Sequence, residues 1–189
     1  AEMEQLTRAM KTKFNRNIIL VGPSGVGKTA LVWELARQQK KYKIKSQIWE
    51  TTASTLIKEL TADTGWEDNM ARLCKELSIS EDILFIRNFL ALFEVGKYAG
   101  NEVSMADFMR SYVSRGEISV LTECTDEELS KIQLKSPNYT SYFQIIKMKE
   151  PQTELEDIII SKVKSLAGER KIMIEKEAIK ETIRLNQRF

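Results

Sequence analysis

The sequence predicts an α/β fold, a five-stranded and mainly parallel sheet with helices on both faces. Three observations carry that expectation. The apolar runs Ile18-Ile19-Leu20-Val21 and Ile83-Leu84-Phe85-Ile86 are continuous, as strands covered on both faces are. Segments with apolar residues at helical spacing separate the strand runs, the alternation of parallel βαβ units. Between the first run and the helix after it lies Gly22-Pro23-Ser24-Gly25-Val26-Gly27-Lys28-Thr29, which satisfies G-x-x-x-x-G-K-[ST].

The elements follow in order. Glu2–Thr12 reads as a first helix, with Leu6, Met10 and Phe14 at helical spacing. Asn17–Val21 is the first strand, and the helix after the loop runs from Thr29 to Gln39. Ser46–Glu50 is the second strand. Helices fit Ala53–Thr61 and Glu67–Leu77, and Ile83–Ile86 is the third strand. Met105–Ser114 is a helix whose Met105, Phe108, Met109 and Tyr112 form an apolar stripe, read as core. Ile118–Leu121 is the fourth strand. Thr125 caps a helix over Asp126–Ile132. The fifth strand is Gln144–Met148, ended by Pro151. Two last helices fit Glu154–Ala167 and Glu175–Asn186. The organisation expected is an α/β core over residues 1–151 and a helical segment over 152–189.

Composition narrows the chemistry. Apolar residues make up 42% and charged residues 30%, ordinary for a soluble globular domain. A net charge of +2 gives no reason to expect a nucleic-acid partner. The basic run Arg37–Lys45 reads as a solvated helix end and loop. The chain has no histidine, which removes His bases, His nucleophile pairs and His metal sites. Its two cysteines, Cys74 on a helix face and Cys124 just past a strand, lack metal-ligand spacing and read as buried thiols. No apolar run is long enough to span a membrane, and a cytoplasmic location is expected.

The loop carries the clearest chemistry. Its glycines let the backbone wrap phosphate oxygens, so that N–H groups and the helix N-terminus face the anion. Gly22, Pro23, Ser24, Gly25, Val26, Gly27, Lys28, Thr29 and the adjoining Ala30 are the candidate contacts to ATP or ADP. Lys28 would reach the β- and γ-phosphates, and the Thr29 hydroxyl would ligate Mg²⁺.

Four stretches together resemble the AAA+ ATPases, P-loop NTPases, and more narrowly the first ATPase domain of the Clp-type unfoldases and disaggregases. Asn17–Val32 is similar to their first strand and phosphate loop, and Ile83–Ile86 to the strand bearing their Walker B acids. Asp107–Gly116 with Ile118–Thr125 is similar to their helix and sensor strand. Phe143-Gln144 with Glu150-Pro151 is similar to the segment after their arginine fingers. The resemblance implies a helical lid that starts in this chain and normally continues past the point of Phe189. It implies partner subunits in a homo-oligomeric or mixed ring, and a polypeptide substrate. Thr125 falls on a polar sensor position, so a γ-phosphate contact and a helix cap are both open to it.

The departures from that pattern matter as much. Where the family ends its third strand in Asp-Glu, this chain has Arg87 and Asn88. Arginine cannot ligate a metal. Two like charges about 4 Å apart at an effective dielectric near 20 repel by roughly 4 kcal/mol, so Mg²⁺ binding is expected to be weakened. Asn88 can hold a water but cannot take its proton, and losing a general base costs about 10²–10⁴ in rate. Where the family pairs its arginine fingers, this chain has Ser141 and Tyr142; such a finger is worth about 10³–10⁵. Glu123, after the fourth strand, is a weak substitute acid, Glu94 a lesser one, and Asp82 sits at the wrong end of its strand. Trp66, near a substrate-gripping aromatic of the family, is either that aromatic or a residue packed at a helix start. The expectation is a nucleotide-binding module of a Clp-like chaperone system with impaired hydrolysis, regulatory or scaffolding in role. The alternatives are an active unfoldase or disaggregase motor and a fold-only protein-contact domain.

Overall fold

The computed structural model describes residues 2–12, 16–61, 65–149, 155–170 and 173–186. The chain divides into two compact units, residues 1–149 and 150–189. The second contains the helices Leu155–Arg170 and Lys176–Asn186. Phe14, Glu150, Pro151, Glu154 and Phe189, named above, lie outside the described residues, as does the expected break after residue 151.

The first unit is built on strands β1 (Ile18–Val21), β2 (Ile48–Thr52), β3 (Ile83–Arg87), β4 (Ser119–Cys124) and β5 (Gln144–Lys147). All pairings are parallel and the order is β2-β3-β4-β1-β5. The helices are α1 (Glu2–Met10), α2 (Lys28–Arg37), the single turn α3 (Gln39–Tyr42), α4 (Ala53–Leu60), α5 (Trp66–Ser80), α6 (Met105–Ser114) and α7 (Asp126–Lys135).

Alternation along the strands sends side chains to two cores. Ile18, Leu20, Ile83, Phe85, Leu121 and Ile146 face α1 and α2, packing with Leu6, Met10, Val32 and Leu35. Ile19, Val21, Leu84, Ile86 and Val120 face the opposite layer, with Leu56, Met70, Cys74, Met109, Val113 and Ile132. Each such aliphatic side chain contributes about 1.5–3 kcal/mol when fully buried. Asn17 fixes the start of β1 from within the core: its amide donates to Val113 O at 3.2 Å and accepts from Val120 N at 2.9 Å.

Polar sequence signals set the helix starts. Ser104 and Asp107 form a reciprocal cap at α6, and Thr125 and Glu128 do the same at α7. Several boundaries differ from expectation. The second strand spans Ile48–Thr52 rather than Ser46–Glu50. The fourth extends three residues past Leu121, because Leu20↔Glu123 and Val21↔Cys124 continue the pairing with β1. That extension places Cys124 inside the strand. A charged residue within a central strand is invisible to apolar patterning, which explains the early stop.

Candidate functional site

The phosphate loop leaves the sheet where β1 ends between β4 and β5. Gly22 N donates to Cys124 O at 3.2 Å, and Met148 N donates to Val21 O at 2.7 Å. A Cβ on Gly22 would lie 2.5 Å from Met148 O, so only glycine fits that crossing. Gly25 and Gly27 hold φ of 81° and 97°, the left-handed region that glycine enters without a steric cost. Gly27 caps α2 with no side-chain bond, and the first intrahelical bond is Leu31 N to Gly27 O at 2.9 Å. The N–H groups of Lys28, Thr29 and Ala30 therefore open the helix at its positive end, a ready anion site. The Lys28 ammonium folds back over the loop and donates to Gly22 O and Pro23 O, each at 2.8 Å.

Thr29 points to β4. Its hydroxyl lies 2.8 and 2.9 Å from the two carboxylate oxygens of Glu123 and donates to that group. Glu123 shares its strand face with Leu121, which packs in the core that includes Val32 and Leu35 of α2, so the carboxylate is carried to the loop by strand alternation. Thr125 follows two residues later. Its hydroxyl accepts Glu128 N at 3.2 Å in the α7 cap, one residue after Cys124, whose carbonyl accepts Gly22 N.

The end of β3 is organised differently. Arg87 Nε lies 3.1 Å from Glu50 Oε1 on β2, an ion pair in which the N–H is not aimed at the oxygen in hydrogen-bond geometry. The other Glu50 oxygen accepts from Trp33 Nε1 of α2 at 2.7 Å. Asn88 is exposed, with a left-handed φ of 58° that asparagine tolerates, and starts a 3-10 turn over Phe89–Phe93. Neither Glu94 nor Asp82 joins the site: Glu94 pairs with Lys135, and Asp82 accepts from Gln47 N and Trp49 Nε1. Ser141 and Tyr142 lie in a second 3-10 turn. Ser141 donates to Asn138 O at 2.7 Å, and the Tyr142 ring packs 6.4 Å from Tyr139. Trp66 is buried as the first residue of α5, donating to Gly96 O at 2.9 Å and meeting Phe108 edge-on. Packing at a helix start is therefore its role here, and it presents no gripping surface. Burial pushes both thiols, Cys74 and Cys124, up to about 12.

Sequence reasoning named Lys28, Thr29 and Glu123 but missed two contacts, Thr29 with Glu123 and Trp33 with Glu50. The i, i+2 spacing of Leu121 and Glu123 was the available signal for the first. The second joins residues far apart in sequence and left none.

Residues 18–133 match the family model described as "ATPase family associated with various cellular activities (AAA)". The chain belongs to the AAA family. It is 28% identical over its whole length to chaperone protein ClpB of Aquifex aeolicus, covering 19% of that protein. It is 27% identical over 81% of its length to the ATP-dependent Clp protease ATP-binding subunit ClpL of Staphylococcus aureus, covering 23% of it. The chain thus spans about a fifth of these relatives. Among solved structures, a closed-state reconstruction of Hsp104 with ATPγS and FITC casein matches 89% of the chain and 30% of the Hsp104 chain, at a TM-score of 0.71 and 21% identity. That likeness bears on the fold, which is the parallel α/β arrangement expected of a P-loop NTPase. No helix among the described residues is long and apolar enough to cross a membrane.

The residues fit the Mg²⁺ that this family ordinarily uses with its nucleotide. Thr29 and Glu123 bring three hard oxygens together, and no group of three or more His, Cys, Asp or Glu among the described residues forms a metal cage. Mg²⁺ characteristically binds through one or two carboxylates plus substrate phosphates, not through such a cage.

Proposed function

We propose that this AAA domain binds ATP or ADP at Gly22–Ala30, holds Mg²⁺ weakly, and hydrolyses ATP poorly, as a regulatory or scaffold module of a cytoplasmic Clp-like chaperone system. Its partners are other subunits of a homo-oligomeric or mixed ring, and the assembly's substrate is a polypeptide. Lys28 supplies charge to the β- and γ-phosphates, the N–H groups of the loop and α2 bind their oxygens, and Thr125 contributes a hydroxyl. Bound Mg²⁺ would neutralise phosphate charge. The observation that carries the reading is the contrast between a complete loop, with the Lys28 ammonium 2.8 Å from its carbonyls, and a β3 end occupied by Arg87 and Asn88. Asn88 orients water without accepting its proton, and Ser141 and Tyr142 offer no cation to a neighbouring subunit.

Calorimetric titration of the chain with ADP and ATP, with Mg²⁺ or EDTA, tests the binding half. Saturable binding in both media, changing less than about 100-fold between them (roughly 2.7 kcal/mol), is expected. No heat and no thermal shift at millimolar nucleotide in either medium would refute it. A second reading, an active unfoldase or disaggregase motor, has one observation in its favour: the Glu123 carboxylate 2.8 Å from the Thr29 hydroxyl. It is distinguished by turnover.

A further inference from the structure

We infer that Glu123 is the carboxylate of the metal shell, its role transferred from the end of β3 to the end of β4. The inference rests on the nucleotide-binding reading and assigns to one residue the metal dependence that remains.

The geometry is that of two neighbouring ligands. Oxygens at adjacent corners of an octahedron around Mg²⁺, each at about 2.1 Å, lie roughly 3 Å apart. Thr29 Oγ1 lies 2.8 Å from one Glu123 oxygen and 2.9 Å from the other. The hydroxyl and the carboxylate thus already stand at ligand separation, and a cation would take a lone pair of the neutral Thr29 hydroxyl, which keeps its proton, without moving α2 or β4. Both partners are fixed by main chain: Thr29 in the first turn of α2, and Glu123 in the β4 ladder opposite Leu20.

Charge placement agrees. The β3–β4 register ends at Ile86↔Thr122, so Arg87 and Glu123 are the next residues of adjacent strands. The cation stands on β3 and the carboxylate on β4. Arg87 is turned to Glu50 on β2, on the side of β3 away from β4, and Glu50 is itself held by Trp33. The Thr29 side of the site is left to the carboxylate. Both Glu123 oxygens lie beside the Thr29 hydroxyl, so Glu123 would serve the metal shell next to Thr29 and supply no base for an attacking water. On this reading the domain keeps some metal dependence while turnover stays slow.

The test uses the full chain. ADP affinity is measured by calorimetry in EDTA and in Mg²⁺ for wild type, Glu123→Gln and Arg87→Gln, with thermal unfolding to confirm that each variant is folded. Binding of Mn²⁺ in the presence of ADP is followed by electron paramagnetic resonance. We expect a gain of about 10-fold on adding Mg²⁺ to wild type, within 2-fold of none for Glu123→Gln, and a retained or larger gain for Arg87→Gln. Glu123→Gln should bind ADP in EDTA at least as well as wild type, while the bound Mn²⁺ signal disappears. A Glu123→Gln protein that keeps the wild-type gain and the Mn²⁺ signal would overturn the inference, as would a wild type that binds ADP with no gain from Mg²⁺. A wild type that binds ADP in neither medium would instead overturn the nucleotide-binding reading.

Discussion

The C-terminal ends of β1 and β3 lie on the same sheet and have diverged in opposite ways. At β1 the loop is complete, from Gly22, which no larger residue can replace against Met148 O, to Thr29 on the first turn of α2. At β3 the strand is equally well buried through Ile86, yet its last residue and the next are Arg87 and Asn88. The core treats the two strands alike; only the residues past the buried run differ. On the proposed reading, binding and hydrolysis are separable on this fold, because the loop that would grip phosphate follows β1 and the positions that would activate water follow β3.

Removing the grip should have the largest effect. Lys28→Ala deletes an ammonium that would make charge-assisted bonds to phosphate, worth about 1.5–3 kcal/mol each. Nucleotide affinity should fall about 100-fold or more, with the thermal midpoint of the free protein little changed, because the side chain is not core. Calorimetry and a melting curve on the same sample measure both. An unchanged affinity would erase the difference between the strands. Converting the second region toward the first is the complementary change. Arg87→Asp combined with Asn88→Glu should raise the affinity gain from Mg²⁺ roughly tenfold, about 1.4 kcal/mol. Phosphate release should stay slow, since Ser141 and Tyr142 still supply no cation.

Two stability measurements sharpen the comparison further. Gly22→Ala forces a methyl group to within 2.5 Å of Met148 O. It should cost about 1–3 kcal/mol and lower the melting temperature by about 2–10 °C. Arg87→Ala should cost less than about 1 kcal/mol, because its pair with Glu50 is 43% and 33% exposed and screened by solvent. A larger loss would mean that Arg87 is a structural residue rather than a site residue.

The division between what the sequence disclosed and what it concealed follows the same line. The strands with continuous apolar runs, the loop and the capped helices were legible because each rests on local pattern: Ile18–Val21, Gly22–Thr29, and Thr125 before α7. The order β2-β3-β4-β1-β5 had no local signal, because strand neighbours are set by long-range pairing. The end of β4 was not legible. Glu123 and Cys124 belong to the strand only because β1 offers them a parallel partner, and such pairing is long-range. The contacts of Glu123 and Glu50 were hidden for the same reason, since Thr29 is 94 residues from Glu123 and Trp33 is 17 from Glu50.

The central claim is that the chain holds nucleotide without using it efficiently, and Lys28-dependent phosphate release at saturating ATP and Mg²⁺ tests that most directly. Wild type and Lys28→Ala are assayed side by side, so that contaminating ATPase is subtracted. Losing the general base and the arginine finger costs about 10²–10⁴ and 10³–10⁵ respectively, and the two need not multiply. The account predicts a Lys28-dependent rate far below about 1 s⁻¹, the low end of ordinary enzyme turnover. A rate of about 1 s⁻¹ or more, abolished by Lys28→Ala, would contradict it and make Glu123 the first residue to mutate in an active motor.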